Sequence, residues 1–287
     1  MSRRKIRQTL HSVPTLEGAG VHLKRAFGNY QTPHFDPFLL LDDFHSDNPA
    51  DYIAGFPWHP HRGIETITYI LEGRVEHGDS MGNKGIIGNG DVQWMTAGSG
   101  IIHQELPQRT PSGRMWGFQL WANLPASQKM MAPRYREITA AMIPQVTLAD
   151  GTTVRIVSGE VAGVRGPVQE IVIDPLFIDV TIPAGGTFIL PVKEGYTTFA
   201  YLLEGGGHFD ADGQLFGPES VILFEHEGTQ LTISATEQPL RFLLCAGKPL
   251  KEPIAWQGPI VMNSQEELRT AFAEYQQGTF IKKNALS

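Results

Sequence analysis

The fold is decided by the stretch Thr66-Ile67-Thr68-Tyr69-Ile70-Leu71-Glu72-Gly73. β-Branched and aromatic residues dominate this stretch and a glycine ends it, which is typical of a strand followed by a turn. Its ending, Tyr69-Ile70-Leu71-Glu72-Gly73, is echoed in the second half of the chain by Tyr201-Leu202-Leu203-Glu204-Gly205. Because each copy is followed by turn-rich sequence and another strand run, the repeat predicts two copies of one β-fold.

Similar strand runs recur along both halves, and 31 glycines and 20 prolines supply many turns. One helix is predicted near the end of the chain. There Ser264 and Glu267 form a capping box ahead of an apolar stripe at Leu268, Ala271, Phe272 and Tyr275. The sequence therefore predicts an all-β protein with a short C-terminal helix.

Composition narrows the classes of function. The chain has 30 acidic and 23 basic residues and a formal charge of −7, so it offers no global attraction to nucleic acid or to an anionic membrane. The basic N-terminus is not followed by an apolar segment, and no run of about 18 apolar residues occurs, which predicts an unexported, cytoplasmic protein. Cys245 is the only cysteine, which excludes an internal disulfide and a cysteine-based zinc cluster.

Two short segments each place metal-binding side chains two residues apart, namely His59 with His61 and His103 with Glu105. In an extended strand residues i and i+2 point the same way, so two adjacent strands can direct three imidazoles and one carboxylate at a single point. This pattern predicts a metal site. The prolines around the first pair cannot donate ladder hydrogen bonds, which places that pair at the start of a strand or at a sheet edge.

The second copy of the repeat lacks these ligands. Pro191 stands opposite His59 and Lys193 stands opposite His61, so one metal ion per chain is expected. The remaining histidines have no comparable partner, and we expect them at the surface or in ordinary hydrogen bonds. They are His11, His22, His34, His45, His77, His208 and His226.

Five segments occur in an order that is typical of one known family. They are residues 59–63 (HPHRG), 65–66 (ET), 90–98 (GDVQWMTAG), 103–105 (HQE) and 120–125 (LWANLP). Together they resemble the pirin family of the cupin superfamily. The resemblance extends from about residue 18 to residues 258–263 (GPIVMN), which is nearly the whole chain.

The resemblance implies a bicupin, that is, two stacked cupin β-barrels of jelly-roll type. It implies an N-terminal barrel with the metal site at 1–140, a degenerate C-terminal barrel at 141–255, and a tail with the helix at 256–287 that returns to the N-terminal barrel. The family's metal ligands carry over as His59, His61, His103 and Glu105.

These ligands also indicate the kind of ion. Imidazole and carboxylate suit iron, manganese, nickel, copper or zinc. We expect one divalent transition metal per chain, with iron(II) as the first expectation. Four protein ligands on an octahedral ion leave two positions for water, substrate or dioxygen, which is an open, catalytic arrangement.

Glu65 is the competing carboxylate. In a continuous extended strand it shares a face with His61, and the general cupin pattern supplies its glutamate ligand from about this place. The pirin-like His-x-Glu pattern favours Glu105, with Glu65 then supporting the site through hydrogen bonds or strand pairing.

The resemblance also implies an activity. Several family members are similar to quercetin 2,3-dioxygenases, which open the central ring of a flavonol with dioxygen. The expected partners are therefore a flavonol and dioxygen, bound by a monomer, with Glu105 taking the proton of the flavonol 3-hydroxyl. Aromatic and apolar residues of which some are expected to line the pocket are Phe56, Trp58, Trp94, Met95, Trp116, Phe118 and Trp121.

The alternative is a redox-sensing interaction protein of the pirin type, a co-regulator whose metal reports the oxidation state to a protein partner. Both functions use the same ligands, so the motif does not separate them. The acidic charge and the lack of a clear nuclear basic run favour the enzyme.

Overall fold

The computed structural model describes residues 2–171, 173–211 and 213–282. Its strands in chain order are β1 (Ile6–His11), β2 (Val13–Glu17), β3 (Val21–Phe27), β4 (Phe38–Ser46), β5 (Phe56–His61), β6 (Ile64–Glu72), β7 (Val75–Asp79), β8 (Lys84–Ile87), β9 (Val92–Thr96), β10 (Ile101–Pro107), β11 (Met115–Asn123), β12 (Arg134–Ile138), β13 (Gln145–Thr147), β14 (Thr153–Ser158), β15 (Glu160–Val161), β16 (Val164–Arg165), β17 (Leu176–Ile182), β18 (Thr187–Pro191), β19 (Thr197–Glu204), β20 (Gly207–His208), β21 (Ser220–Phe224), β22 (Gln230–Ala235), β23 (Leu240–Gly247), β24 (Ala255–Gln257) and β25 (Ile260–Met262). The helices are α1 (Thr32–Phe35) and α2 (Gln265–Gln276). Short 3₁₀ turns span Asn29–Gln31, Pro49–Asp51, Ala126–Gln128 and Ala140–Met142.

The described residues form two compact units. The first barrel contains those of Val13–Thr32, Phe38–Ala140 and Leu250–Ser287, and the second barrel contains those of Met1–Ser12, Pro33–Pro37 and Ala141–Pro249. This division differs from the continuous ranges 1–140 and 141–255. The N-terminal strand β1 belongs to the second barrel because it pairs with β21 at the edge of that barrel's sheet. The described residues from Leu250 to Lys282 belong to the first barrel.

The first barrel is built from two facing sheets. The larger sheet has the strand order β12-β9-β6-β11-β4-β3-β2, and the smaller one has the order β5-β10-β7-β8. Their inner faces pack together through apolar residues of both sheets, among them Phe44, Ile70, Val75 and Ile87. Strand β5 lies at the edge of the smaller sheet, as the sequence predicts. At an edge the missing N–H groups of its prolines do not interrupt the hydrogen bonds between two strands.

A sharp turn joins the two sheets of the first barrel between β5 and β6. Gly63 has a φ of +79° there, and a Cβ at this position would collide with the carbonyl oxygen of Val261. Only glycine adopts this conformation without strain and allows so close an approach of another chain segment. The turn therefore ends β5 directly after His61 and starts β6 in the other sheet.

The second barrel repeats this architecture with an apolar interior. Its larger sheet has the order β1-β21-β19-β23-β17-β14-β13, and its smaller sheet has the order β18-β22-β20. The inner faces of both sheets contribute to one core of buried aliphatic and aromatic side chains, including Ile178, Leu190, Phe224 and Phe242. The prediction of an all-β fold with two β-barrels is confirmed.

The C-terminal segment adds a small hairpin and the predicted helix to the first barrel. β24 pairs with β25. α2 then begins after Ser264, which accepts a hydrogen bond from the Glu267 amide while the Glu267 side chain accepts one from the Ser264 amide. Leu268 and Ala271 are buried and Phe272 is partly buried, whereas Tyr275 is 39% exposed. The capping box is therefore confirmed, and the stripe is confirmed except at Tyr275. Among the described residues, no helix combines the length and apolar character needed to cross a bilayer.

Candidate metal centre

Three histidines converge on the smaller sheet of the first barrel. β5 and β10 are antiparallel neighbours, and His103 lies directly opposite His59. One ring nitrogen from each of His59, His61 and His103 lies within 4.8 Å of the other two. The i, i+2 spacing on adjacent strands thus brings three imidazoles together at one point.

Backbone carbonyls orient two of these imidazoles. Nδ1 of His59 lies 2.8 Å from the carbonyl oxygen of Pro57, and Nδ1 of His61 lies 3.0 Å from that of Pro259. A carbonyl only accepts, so each Nδ1 carries the proton and donates, which leaves each Nε2 with a free lone pair. The two Nε2 atoms are 3.1 Å apart. Neighbouring nitrogens that share an ion at about 2.1 Å have about this separation.

His103 supplies the third imidazole. Its buried ring nitrogens, unpartnered in the described part of the chain, are a separate reason to expect a bound cation here. Its side chain is fully buried, and neither ring nitrogen has a hydrogen-bond partner among the described residues. Leaving a buried donor and acceptor unmet is costly. Burial, together with the neighbouring charge of His59, lowers the pKa of His103 and of His61 well below the ordinary value, which keeps both rings in the neutral form that metals bind. The cluster therefore suggests a metal site.

Glu105 lies on the same strand as His103, two residues further on. Its carboxylate is not part of the group within 4.8 Å described above. Its Oε1 accepts a hydrogen bond of 2.9 Å from the Thr68 hydroxyl, and its Oε2 accepts one of 2.7 Å from Nε2 of Gln119. The fourth-ligand role of Glu105 stays a prediction, and residues of the larger sheet fix the orientation of its carboxylate.

Glu65 occupies a different place from the one that a continuous strand implies. The turn at Gly63 separates it from His61, so the expectation that both share one face is wrong. On β6, Glu65 lies on the opposite face from Thr68, whose hydroxyl reaches Glu105. Glu65 accepts a 2.6 Å hydrogen bond from Thr96, and burial raises its pKa. The geometry favours Glu105 over Glu65 as the carboxylate of the site.

A row of polar residues crosses the inner face of the larger sheet, and the sequence analysis missed it. The members stand directly opposite one another on successive strands and therefore share a face. In order across β3, β4, β11, β6 and β9 they are Arg25, Asp42, Gln119, Thr68 and Gln93. We call this set the polar row, and the two hydrogen bonds of Glu105 attach that carboxylate to it.

A cavity of about 460 Å³ opens onto the histidines. Its wall includes His59 and His61 together with Gln119, Trp121 and Trp256. Trp121 meets the His61 ring edge-on with ring centroids 5.0 Å apart, and its Nε1 donates a 2.8 Å hydrogen bond to Oε1 of Gln119. One chain of contacts thus runs from the cavity wall through Gln119 to Glu105.

The aromatic residues singled out in the sequence lie in three kinds of place. Phe56 and Trp121 line the cavity. Trp94 and Phe118 are buried in the barrel, and Trp58 is 53% exposed. The sequence analysis did not foresee the contribution of the C-terminal segment, which supplies Trp256 and the carbonyl of Pro259.

Two buried basic side chains attach this C-terminal segment to the strand β5 that carries His59 and His61, and to the turn after it. Nζ of Lys129 donates to the carbonyl oxygens of Gly63 and Val261 at 2.9 and 3.0 Å and also to the Asn123 side chain, while burial lowers its pKa to about 7. Arg62, next to His61, donates to the Phe280 carbonyl at 3.0 Å and pairs with a carboxylate of α2 at 2.8 Å. Both contacts anchor the C-terminal segment whose Pro259 carbonyl orients His61.

A second buried polar pair lies on the neighbouring strand β7. His77 and Asp79 have an Nε2 to Oδ2 distance of 3.4 Å, and the His77 ring centroid is 5.4 Å from that of His103. In β7 they stand opposite Glu105 and His103, respectively. The sequence signal that could have found them is again an i, i+2 spacing, His-x-Asp.

Among the described residues, the second barrel has no comparable cluster. Pro191 ends β18, and Lys193 pairs with Asp174 at the surface. His208 contacts the carbonyl of Gln214, and His226 contacts the Thr197 hydroxyl. These contacts are ordinary hydrogen bonds.

Comparisons with known proteins agree with this architecture. The family model described as Pirin matches residues 20–122, and the model described as Pirin C-terminal cupin domain matches residues 177–281. A pirin-like protein of Caulobacter vibrioides is 43% identical over 284 residues, which cover 98% of this chain and 100% of that protein.

Solved structures extend the comparison. A crystal structure of quercetin 2,3-dioxygenase from Acinetobacter baumannii has a TM-score of 0.89 and 32% identity, and the match covers 97% of this chain and 99% of that one. The bacterial pirin YhhW from Escherichia coli, solved in complex with nickel(II), shares the fold with a TM-score of 0.63 and 23% identity over 83% of this chain and 95% of that one. On the strength of the matching models and relatives, the chain belongs to the pirin family, with two cupin domains.

Proposed function

We propose that this protein is a metal-dependent dioxygenase that opens the central ring of flavonols with dioxygen and releases carbon monoxide. The observation that carries the proposal is the cluster of His59, His61 and His103, of which His59 and His61 lie in the wall of a partly aromatic cavity. The structural similarity to the Acinetobacter baumannii quercetin 2,3-dioxygenase supports it.

The ion would be held by His59, His61 and His103, with Glu105 as the fourth ligand. Nitrogen and oxygen donors without thiolate suit iron(II), which we take as the first candidate, and also suit manganese, nickel, copper and zinc. Once bound, such an ion lowers the pKa of a coordinated hydroxyl and offers open positions to substrate and dioxygen.

Glu105 would accept the proton of the flavonol 3-hydroxyl. Its two oxygens receive hydrogen bonds from Thr68 and Gln119, which fix the carboxylate in one orientation beside the histidines. Because Trp121 in turn donates to Gln119, the orientation of the base is coupled to the aromatic wall of the cavity. A base needs this kind of fixed position within hydrogen-bond reach of its proton.

The cavity suits a flat aromatic substrate. Its volume of about 460 Å³ lies within the usual range of small-molecule sites. Trp121 and Trp256 lie with ring centroids 5.8 Å apart, and together with Phe56 they supply apolar surface for planar rings. The histidines at the wall would face the oxygen-bearing edge of the central ring.

The test is a turnover experiment on protein loaded separately with iron, manganese, nickel or copper. Each preparation is mixed with a flavonol without oxygen, its absorption spectrum is recorded, and oxygen is then admitted. We expect the flavonol to change the spectrum, followed by oxygen uptake and carbon monoxide release over many turnovers. His103→Ala serves as the inactive control. Absence of multiple-turnover oxygen uptake with every metal and several flavonols would contradict the proposal.

A further inference from the structure

The polar row ends at Arg25, which lies in the wall of the same cavity as His59 and His61. Its Nε and Nη2 donate to the two carboxylate oxygens of Asp42 at 2.8 Å each, and Nη2 also donates to Glu17 at 2.8 Å. A two-pronged Arg–carboxylate pair of this kind fixes the plane of the guanidinium. Arg25 is therefore a rigidly aimed donor.

One side of this guanidinium is left for a ligand. Nη1 of Arg25 donates to no acceptor in the described part of the chain, and the side chain is 22% exposed while that of Asp42 is 10% exposed. Asp42 lies almost wholly inside the barrel, where burial raises its pKa to about 6 in spite of the hydrogen bonds from Arg25. The Arg25–Asp42 pair is therefore mostly buried, unlike an ordinary surface ion pair.

The second barrel shows that the fold does not need this pair. The row that occupies the same positions there, in order across β14, β17, β23, β19 and β21, is Ile156, Ile178, Leu244, Ala200 and Ile222. All five belong to its apolar core. Because well-packed apolar residues usually replace a buried ion pair without loss of stability, a role in folding does not explain Arg25 and Asp42.

We propose that Arg25, held in place by Asp42, selects the substrate by hydrogen bonding to ring hydroxyl or phenolate oxygens other than the 3-hydroxyl that faces the histidines. The preferred ligand is then a polyhydroxylated flavonol. This inference rests on the proposed function, since it concerns the same cavity. It predicts that ring hydroxyls, and not only flavonol shape, contribute to binding.

The test compares two ligands and two double variants by calorimetric titration of the metal-loaded protein without oxygen. The ligands are quercetin and 3-hydroxyflavone, which share the 3-hydroxyl but differ in the other ring hydroxyls. The variant Arg25→Ile with Asp42→Ile copies the apolar pair of the second barrel. The matched control, Arg241→Ile with Asp179→Ile, removes a two-pronged Arg–Asp pair of the same geometry that lies at other positions of the second barrel.

The measured quantity is the ratio of the two dissociation constants, 3-hydroxyflavone over quercetin. In the cavity double variant we expect this ratio to fall by about tenfold or more, which is typical of losing a hydrogen bond to a charged donor. The control should leave the ratio unchanged. Arg25→Lys, which keeps the charge beside Asp42 but not the planar fork, should lower the ratio by a smaller factor, and it decides the question if the double variant does not fold.

The outcomes separate the two proposals. If both flavonols bind and the ratio stays the same in the cavity double variant and in Arg25→Lys, the role of Arg25 is refuted while the dioxygenase proposal stands. The role is also refuted if the control lowers the ratio equally. If neither flavonol binds the wild-type protein, both proposals are overturned.

Discussion

The two barrels place opposite kinds of side chain at equivalent positions of one architecture. In the first barrel the row across the larger sheet is polar and holds Glu105 through Thr68 and Gln119. In the second barrel the equivalent row is apolar and merges with the core. Burial of aliphatic side chains stabilises a fold, whereas buried polar groups stabilise it little even when they are hydrogen-bonded. We therefore expect the second barrel's row to contribute mainly to stability and the first barrel's row to support the candidate metal site.

The largest expected effect follows from removing the carboxylate that the polar row holds. We expect Glu105→Gln to retain part of the metal and to lose turnover by about 10²–10⁴-fold, as is typical when a general base is removed. Glu65→Gln is the matched control, because Glu65 lies on the face of β6 that points away from Thr68 and Glu105. It should lose much less turnover. Initial rates and metal content are measured on the same preparations. The reverse ranking would move the role to Glu65.

The next effect tests the apolar row of the second barrel. Leu244→Gln places an amide among Ile178, Ala200 and other aliphatic side chains, which offer it no hydrogen-bond partner. We expect the free energy of unfolding to fall by about 3 kcal/mol, from lost apolar burial and an unsatisfied polar group. Urea denaturation measures this change. The same substitution at Leu215, which is 59% exposed, should cost no more than about 0.5 kcal/mol. Equal losses at both positions would contradict the comparison.

The smallest effect tests the polar row with the converse substitution. Gln119→Leu gives the first barrel the residue that the second barrel carries at the same position. It removes the amide group that donates a hydrogen bond to Glu105 and accepts one from Trp121. We expect a loss of about 10–100-fold in metal affinity or turnover, with the fold retained, because partners that orient a ligand usually contribute this much. Circular dichroism checks the fold. Unchanged affinity and rate would show that Gln119 does not support the site.

The histidine cluster could be predicted from the sequence because its signal is local. The spacing of His59 and His61, and the position of His103 on a second strand run, depend only on the alternation of a β-strand. The same rule failed for Glu65, because Gly63 takes a positive φ and ends the strand before the alternation reaches it. A turn within a run of strand-like residues is decided by backbone geometry that the alternation does not encode.

The polar row and the C-terminal contacts could not be predicted in the same way. Arg25 and Asp42 lie on consecutive strands and Gln119 lies on a much later one, and only the register between these strands brings the three residues opposite one another. The Pro259 carbonyl that orients His61 belongs to the backbone and leaves no mark in residue identity. These parts of the site depend on tertiary structure, which single-strand patterns do not specify.

Metal content per chain tests the central claim most directly. Protein is purified without added metal, reconstituted with one ion at a time, and measured by elemental analysis beside Lys193→Ala and the double variant His61→Ala with His103→Ala. We expect about one tightly bound equivalent in the wild type and in Lys193→Ala, and nearly none in the histidine variant, because among the described residues the first barrel alone holds a cluster of candidate ligands. Two equivalents per chain, or one equivalent retained without His61 and His103, would contradict the assignment of the metal centre to the first barrel.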